Sequence, residues 1–177
     1  YASVGMQGEE IVNSDPVTGD TWSYYNTRLS MLTIDPDTGT CTELTNLDLP
    51  QVPEGMVLCL ENVMEPSPET LVSIAAQIDD PRLGLCLDVG HANTCVSETP
   101  PMDWIVPMAP WLRHVHLHNN QGDTDLHAPL GEGNIPMRQI IDTVLQAAPE
   151  ATFTIENQNA LPSLHWLAAQ GYIEEPT

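Results

Sequence analysis

Leu83-Gly84-Leu85-Cys86-Leu87-Asp88-Val89-Gly90-His91 is the stretch that decides the fold of this chain. Its first five residues form a short, nearly continuous apolar run, which is typical of a strand buried on both faces of a parallel sheet. The run leads directly into Asp88 and His91, whose side chains can bind a cation or move a proton. Because a carboxylate is costly to bury without a partner, the stretch predicts a strand that ends in a functional site.

Three further apolar runs, at residues 56–60, 112–117 and 153–155, follow the same plan. Helical segments with an apolar stripe separate them. These helices are predicted after Ser67-Pro68-Glu69, over residues 102–108, after Asn134 as capping residue, and over residues 161–170 before Gly171. A strand followed by a helix, four times over, favours parallel βα units.

The first fifty residues follow a different pattern. The turn sequence Asp15-Pro16-Val17-Thr18-Gly19 recurs as Asp35-Pro36-Asp37-Thr38-Gly39, and residues that favour β-strands flank both copies. This pattern predicts two β-hairpins. We therefore expect a hairpin-rich region over residues 1–52 and a second domain over residues 53–177.

The composition excludes several classes of partner. The chain has 25 acidic residues against four basic ones, all of them arginine, and a formal net charge of −21, so it repels nucleic acid. No apolar run is long enough to cross a membrane, and we expect a soluble, cytoplasmic protein without a membrane partner. The four cysteines lack the paired spacing of a zinc finger. Free thiols fit an intracellular location, although an even count leaves disulfides possible.

The four predicted strands all deliver residues that suit a cation. The first runs into Glu61, the second into Asp88 and the fourth into Glu156, while the third contains His116. Because the carboxyl ends of parallel strands meet at one edge of a sheet, we expect these side chains to converge on one divalent ion. A set of carboxylates and an imidazole without thiolates suits Mn²⁺, Mg²⁺, Co²⁺ or Zn²⁺.

These segments resemble the xylose isomerase-like TIM-barrel superfamily, and within it the sugar phosphate isomerase/epimerase family. The resemblance is carried, in this order, by residues 58–62, 87–91, 114–120 and 125–135 and by Glu156. It covers about residues 56–172 and implies the C-terminal half of a (β/α)8 TIM barrel, with four parallel βα units. A full barrel has about 250 residues, so either the chain is a fragment or the hairpin region replaces or caps the missing half.

The resemblance also implies a function. It points to a metal-dependent isomerase or epimerase in carbohydrate metabolism, acting on a small sugar or sugar-like substrate. In such enzymes the metal polarises a carbonyl, and the residues matching Glu61 and Glu156 transfer a proton through an enediolate. His91 would contact substrate oxygens or bind a second metal, while Asp125 and His127 would contact the substrate or order their loop. Whether this chain turns over a substrate alone is left open.

Two alternatives remain open. In the endonuclease IV branch of the superfamily, the pair matching Asp125 and His127 binds additional zinc ions, so a zinc nuclease is one alternative, which the acidity of the chain opposes. The other is a non-catalytic, metal-binding remnant. An open half barrel exposes sheet edges, so we expect a homo-oligomer or pairing with a missing half barrel. Two further histidines are weaker candidates: we expect His114 to face away from His116, and His118 to face the barrel interior.

Overall fold

The computed structural model describes the strands 2–14, 21–34 and 41–44 as backbone, and residues 55–94 and 96–176 with their side chains. The chain divides into two compact units, Tyr1–Pro53 and Glu54–Thr177.

The first unit contains a three-stranded antiparallel sheet in the order β1-β2-β3. Its strands are β1 (Ala2–Ser14), β2 (Thr21–Ile34) and β3 (Cys41–Leu44). The antiparallel pairing of consecutive strands agrees with the two predicted hairpins. The repeated turn sequences that suggested them, at residues 15–19 and 35–39, lie outside the described residues.

The second unit is a four-stranded parallel sheet in the order β4-β5-β6-β7, with a helix after each strand. Its elements are β4 (Leu58–Glu61), α1 (Glu69–Ile78), β5 (Leu83–Asp88), α2 (Pro101–Met108), β6 (Leu112–Leu117), α3 (Met137–Ala147), β7 (Thr152–Ile155) and α4 (Leu161–Gln170). Sequential parallel strands with intervening helices are the arrangement of part of a TIM barrel, so the predicted fold class is confirmed.

The hydrophobic core lies between one face of the sheet and the helices. Leu85 and Leu87 of β5 are fully buried there, together with Trp104 of α2 and Ile140 of α3. The prediction that every apolar run is buried on both faces holds for β5 but is wrong for β7 and for β4, whose residues are all half-buried or exposed. At that edge of the four-stranded sheet, Cys59 is exposed because β4 has a neighbour on one side alone within the described unit.

A β-bulge interrupts the pairing of β5 with β6. Leu85 pairs with Leu112 and the next residue, Cys86, pairs with His114, so Arg113 is an extra residue on β6. The extra residue breaks the alternation of the strand. Leu112 consequently shares the helix-covered face with Val115, three residues later.

Two helix starts differ from the predictions. Asn134 does not cap α3, which begins after Pro136, and α1 begins after Pro68 without a side-chain cap. The predicted end of α4 is confirmed, because Gly171 adopts the left-handed conformation that closes a helix. None of the helices in the described parts of the chain is long and apolar enough to cross a membrane.

Candidate functional site

The polar strand ends meet at the carboxyl edge of the parallel sheet. Asp88, the last residue of β5, pairs in register with His116 of β6. Glu61 is the last residue of β4, and Glu156 directly follows β7. The structure therefore brings together the four side chains that the sequence singled out as candidate ligands, while their role as ligands stays a prediction.

His116 lies at the centre of this group. Its Nδ1 atom is 3.2 Å from Oε1 of Glu156, 3.4 Å from Oε1 of Glu61 and 3.5 Å from Oδ2 of Asp88. The same atom is buried and has no hydrogen-bond partner of acceptable geometry among the described residues. A buried ring nitrogen that faces three carboxylates without bonding to any of them needs a further partner.

A divalent ion fits this arrangement. Nitrogen and oxygen ligands lie about 2.0–2.2 Å from such an ion, which sets neighbouring ligand atoms about 3.0–3.5 Å apart. The three distances around His116 fall in that interval or at its edge. Ligand atoms of Asp88, His116 and Glu156 all lie within 4.8 Å of one another, as do those of Glu61, Asp88 and His91. The donor set itself, three carboxylates and an imidazole, suits a hard or borderline cation.

The electrostatics of the group reflect the crowding of negative charge. Burial raises the pKa of Asp88, but the adjoining His116 and His118 side chains and the charge of His118 outweigh burial, so the pKa lies below its usual range. Burial lowers the pKa of His116, but the adjoining Asp88, Cys86 and Glu61 side chains outweigh it and the pKa is raised. Both shifts favour the charged forms, as expected where a positive charge offsets clustered carboxylates.

A second group lies beside the first and consists of His91, Asp125 and His127. Nδ1 of His91 donates to the carbonyl oxygen of Asn62 at 2.8 Å, and Nδ1 of His127 donates to that of Glu156 at 2.6 Å. Nε2 of each ring points at the same oxygen of Asp125, at 3.2 Å and 3.1 Å. A ring that donates through Nδ1 can bond to this carboxylate only if it is doubly protonated, or if a cation or a substrate hydroxyl intervenes.

His114 corrects one prediction. It does not face away from His116: the two rings are 5.1 Å apart, edge to face, on the same side of β6. Residues two apart on a strand share a face, so the expectation misapplied the alternation. Both ring nitrogens of His114 are engaged, with the hydroxyls of Thr152 and Thr154 at 2.7 Å and 2.9 Å. It therefore has no free ring nitrogen for a ligand.

Two residues support the group: Asn62, which sequence reasoning did not single out, and His118, which it treated as a weaker candidate facing the barrel interior. Asn62 is buried, and its amide pairs with the backbone of Asp88 as both acceptor and donor, at 2.7 Å and 2.9 Å. His118 is completely buried and bonds to the Asp88 carboxylate. Their proximity to Glu61 and His116 in the sequence was the available signal, but their contacts depend on how neighbouring strands pair.

The family of the chain is shown by comparison with family models. Residues 51–174 match the model of the xylose isomerase-like TIM barrel, which is more than half of the 177 residues. The chain belongs to this family. The predicted resemblance is thereby confirmed, and the strand-end group lies inside the matched residues.

Curated proteins match the chain over part of their length. An uncharacterized protein of Methanocaldococcus jannaschii, MJ1311, is 28% identical over 160 residues, which cover 87% of this chain and 52% of the relative. Fructoselysine 3-epimerase of Escherichia coli O157:H7 is 25% identical over 116 residues, or 66% of this chain and 41% of that enzyme. The chain thus spans about half the length of these relatives.

Solved structures also match the chain over part of their length. A D-tagatose 3-epimerase-like protein superposes with a TM-score of 0.57 and 29% identity, covering 68% of this chain and 48% of the other. A protein from Thermus thermophilus, TTHB071, soaked with ZnCl2, superposes with a TM-score of 0.53 and 31% identity, covering 66% and 45%. These similarities support the assignment of the βα units to part of a TIM barrel.

Proposed function

We propose that this chain supplies the metal-binding and proton-transfer site of a sugar isomerase or epimerase. One observation carries the proposal: the buried Nδ1 atom of His116 has no hydrogen-bond partner within residues 55–94 and 96–176 and faces carboxylate oxygens of Glu61, Asp88 and Glu156 at 3.2–3.5 Å. Glu61, Asp88, His116 and Glu156 would hold one divalent ion, such as Mn²⁺, Mg²⁺, Co²⁺ or Zn²⁺. When bound, such an ion would polarise a substrate carbonyl and acidify the neighbouring C–H bond.

The two glutamates are suited to move the proton. The side chains of Glu61 and Glu156 are 33% and 31% exposed, whereas that of Asp88 is 0% exposed. A substrate entering from the carboxyl edge of the sheet can therefore reach the two glutamates but not Asp88. One glutamate would take the proton from the carbon next to the carbonyl, and the other would return a proton to the resulting enediolate.

The second group would position the substrate. Nε2 of His91 and Nε2 of His127 both lie 3.1–3.2 Å from one carboxylate oxygen of Asp125. All three side chains are partly exposed. Such a set of donors and acceptors suits the hydroxyl groups of a sugar-like compound. The scarcity of arginine in the chain favours an unphosphorylated part of the substrate at this site.

The relatives support the choice of reaction class. Two of the similar proteins are described as a fructoselysine 3-epimerase and a D-tagatose 3-epimerase-like protein. Both descriptions refer to the inversion of a carbon in a sugar-derived compound. Because the chain spans about half of each relative, we extend this to the site and its chemistry, and propose that a second chain or a second half barrel completes the substrate pocket.

The proposal is tested by two measurements on the purified chain. Metal content after expression and isothermal titration with Mn²⁺ should show one tight divalent site. A panel of ketoses and aldoses incubated in D2O should then show deuterium incorporation, by NMR, at the carbon next to the carbonyl. E61Q and E156Q should each lower that exchange by about 10²–10⁴-fold. Exchange that both variants leave unchanged would refute the role of the glutamates.

A zinc nuclease is the second candidate function. The observation that favours it is the group formed by His91, Asp125 and His127, whose ligand atoms lie within 4.8 Å of one another beside the first site. The net charge of −21 opposes it, because a phosphodiester backbone would be repelled from the protein.

A further inference from the structure

His118 is completely buried and lies directly against the carboxylate of Asp88. Its side chain is 0% exposed, and Nε2 lies 2.9 Å and 3.1 Å from the two oxygens of the equally buried Asp88. The other ring nitrogen, Nδ1, has no hydrogen-bond partner among the described residues. Burying a ring nitrogen without a partner is unfavourable, so the bond through Nε2 has to outweigh that cost.

The direction of this bond is fixed by the chemistry of its partner. An ionised carboxylate only accepts hydrogen bonds, so Nε2 of His118 carries the hydrogen. Oδ1 of Asp88 accepts a second bond from the backbone N–H of His91, at 2.8 Å. Two donors therefore hold Oδ1, and Oδ2 is the oxygen that faces Nδ1 of His116. The carboxylate cannot rotate without losing these bonds.

The backbone around His118 leaves space for the ring. A Cβ atom added to Gly90 would lie 1.9 Å from Cε1 of His118, so no other residue fits at this position while the ring stays in place. The amide of Asn120 donates to the carbonyl oxygen of Gly90 at 2.9 Å. On its other side, the ring stacks on His127 at 3.9 Å and 6°. The location of the imidazole is thus determined from several directions.

We infer that His118 is a positioning residue for the divalent ion. By donating through Nε2 to Asp88, it directs Oδ2 of that carboxylate towards the ion held with Glu61, His116 and Glu156. His118 does not touch the substrate, because its side chain is completely buried. The inference rests on the metal site of the proposed function. Carboxylates that bind metals are themselves commonly held by such hydrogen bonds, and losing one costs roughly 10–100-fold in metal affinity.

The matched variants are His118→Gln and His118→Asn. The amide nitrogen of glutamine can reach the place of Nε2, whereas that of asparagine ends nearer the place of Nδ1. Titration of the 177-residue chain with Mn²⁺ should give nearly wild-type affinity for H118Q and an affinity about 10–100-fold weaker for H118N. H118N also loses the bond to Asp88 and should melt at a lower temperature than H118Q. The affinities are therefore compared at a temperature where circular dichroism shows both metal-free variants folded.

A further variant tests the inference by changing a neighbouring residue instead of His118 itself. Gly90→Ala keeps His118 but displaces its ring, so G90A should also weaken Mn²⁺ binding while the protein remains folded by circular dichroism. Equal affinities for wild type, H118N and G90A would overturn the inference and leave the metal site intact. If the wild-type chain bound no divalent ion, the proposed function would fail first and the inference with it.

Discussion

At the scale of single residues, two histidines on one strand differ in their hydrogen bonds, and this difference points to the candidate ligand. His116 faces carboxylates without bonding to them, while His114, on the same face of the same strand, bonds through both ring nitrogens. This contrast separates a candidate ligand from a structural histidine more sharply than residue type does. It also supplies a matched pair for mutation.

We expect His116→Ala to abolish divalent-ion binding, with a loss beyond the roughly 10–100-fold cost of changing a residue that only supports a ligand. The reason is that Nδ1 of His116 is the atom that all three carboxylates approach. Isothermal titration with Mn²⁺ measures the effect. H114A is the control and should bind nearly as well as wild type, whereas equal losses in both variants would contradict the assignment.

Sequence reasoning could place the candidate ligands because strand ends are visible as polar residues after apolar runs. Glu61, Asp88 and Glu156 each follow such a run. The supporting contacts were not predictable in the same way. Whether His118 meets Asp88 depends on the pairing of β6 with β5 and on the space left by Gly90, which are properties of the folded sheet.

At the scale of helices and strands, the order of elements was predictable and their details were not. Alternating apolar runs and amphipathic segments identified four βα units, and a parallel sheet follows from the connections. The exposure of β4 could not be predicted, since an apolar run looks the same in an edge strand as in a central one. The start of α3 after Pro136 rather than after Asn134 reflects the hydrogen bonds of Asn134 to Asn93 and Gln121, which engage its side chain elsewhere.

A contact at the end of α4 gives a prediction about pH. Tyr172 follows α4 and donates to Asp142 of α3 at 2.6 Å, and burial together with this bond raises the pKa of Tyr172 to about 12. A raised pKa means that the contact stabilises the fold fully below the ordinary pKa of tyrosine, near 10. The contribution is lost as the pH rises through about 12.

Absorbance titration near 295 nm should therefore show one of the four tyrosines ionising last. That step should be missing in Y172F and should move to lower pH in D142N, because the acceptor carboxylate is gone. Y172F should also lose the part of the stability that falls between pH 10 and pH 12 in wild type. A last step that Y172F retains would assign the shifted pKa to another tyrosine.

At the scale of the whole molecule, charge decides which large partners are accessible. With 25 acidic and four basic residues, the chain repels polyanions at any distance within the screening length of the solution. We expect no appreciable cleavage of DNA containing an abasic site, with or without added Zn²⁺. A gel assay for nicking measures this.

The dependence on salt makes the test sharper. Proteins that bind DNA through cations bind more tightly as salt is lowered, whereas lower salt strengthens the repulsion between this chain and DNA. Any weak nicking should therefore decrease from about 0.15 M to about 0.01 M salt. Efficient zinc-dependent nicking that increases at low salt would favour the nuclease instead.

The second unit also predicts an assembly. Its parallel sheet has two edge strands, β4 and β7. The face of the sheet opposite the helices carries polar side chains such as His116 and Thr154. Open edges invite pairing with another chain, and two-fold pairing of identical copies is the simplest closed arrangement. Light scattering at several concentrations should show a dimer, or a complex once a complementary half barrel is added. A monomer under both conditions would contradict this prediction.

The bulge at Arg113 determines where β6 can tolerate the deletion of one residue. Removing codon 113 would delete the extra residue, leave Leu112 opposite Leu85 and leave His114 opposite Cys86, so the strand could continue with a regular ladder. Removing any one codon from 114 to 117 would instead delete His114 or turn it towards the helix-covered face if the bulge is lost, and would shift the residues that follow if the bulge stays. Natural variants of this strand should therefore differ in length at residue 113 far more often than within the four residues that follow it.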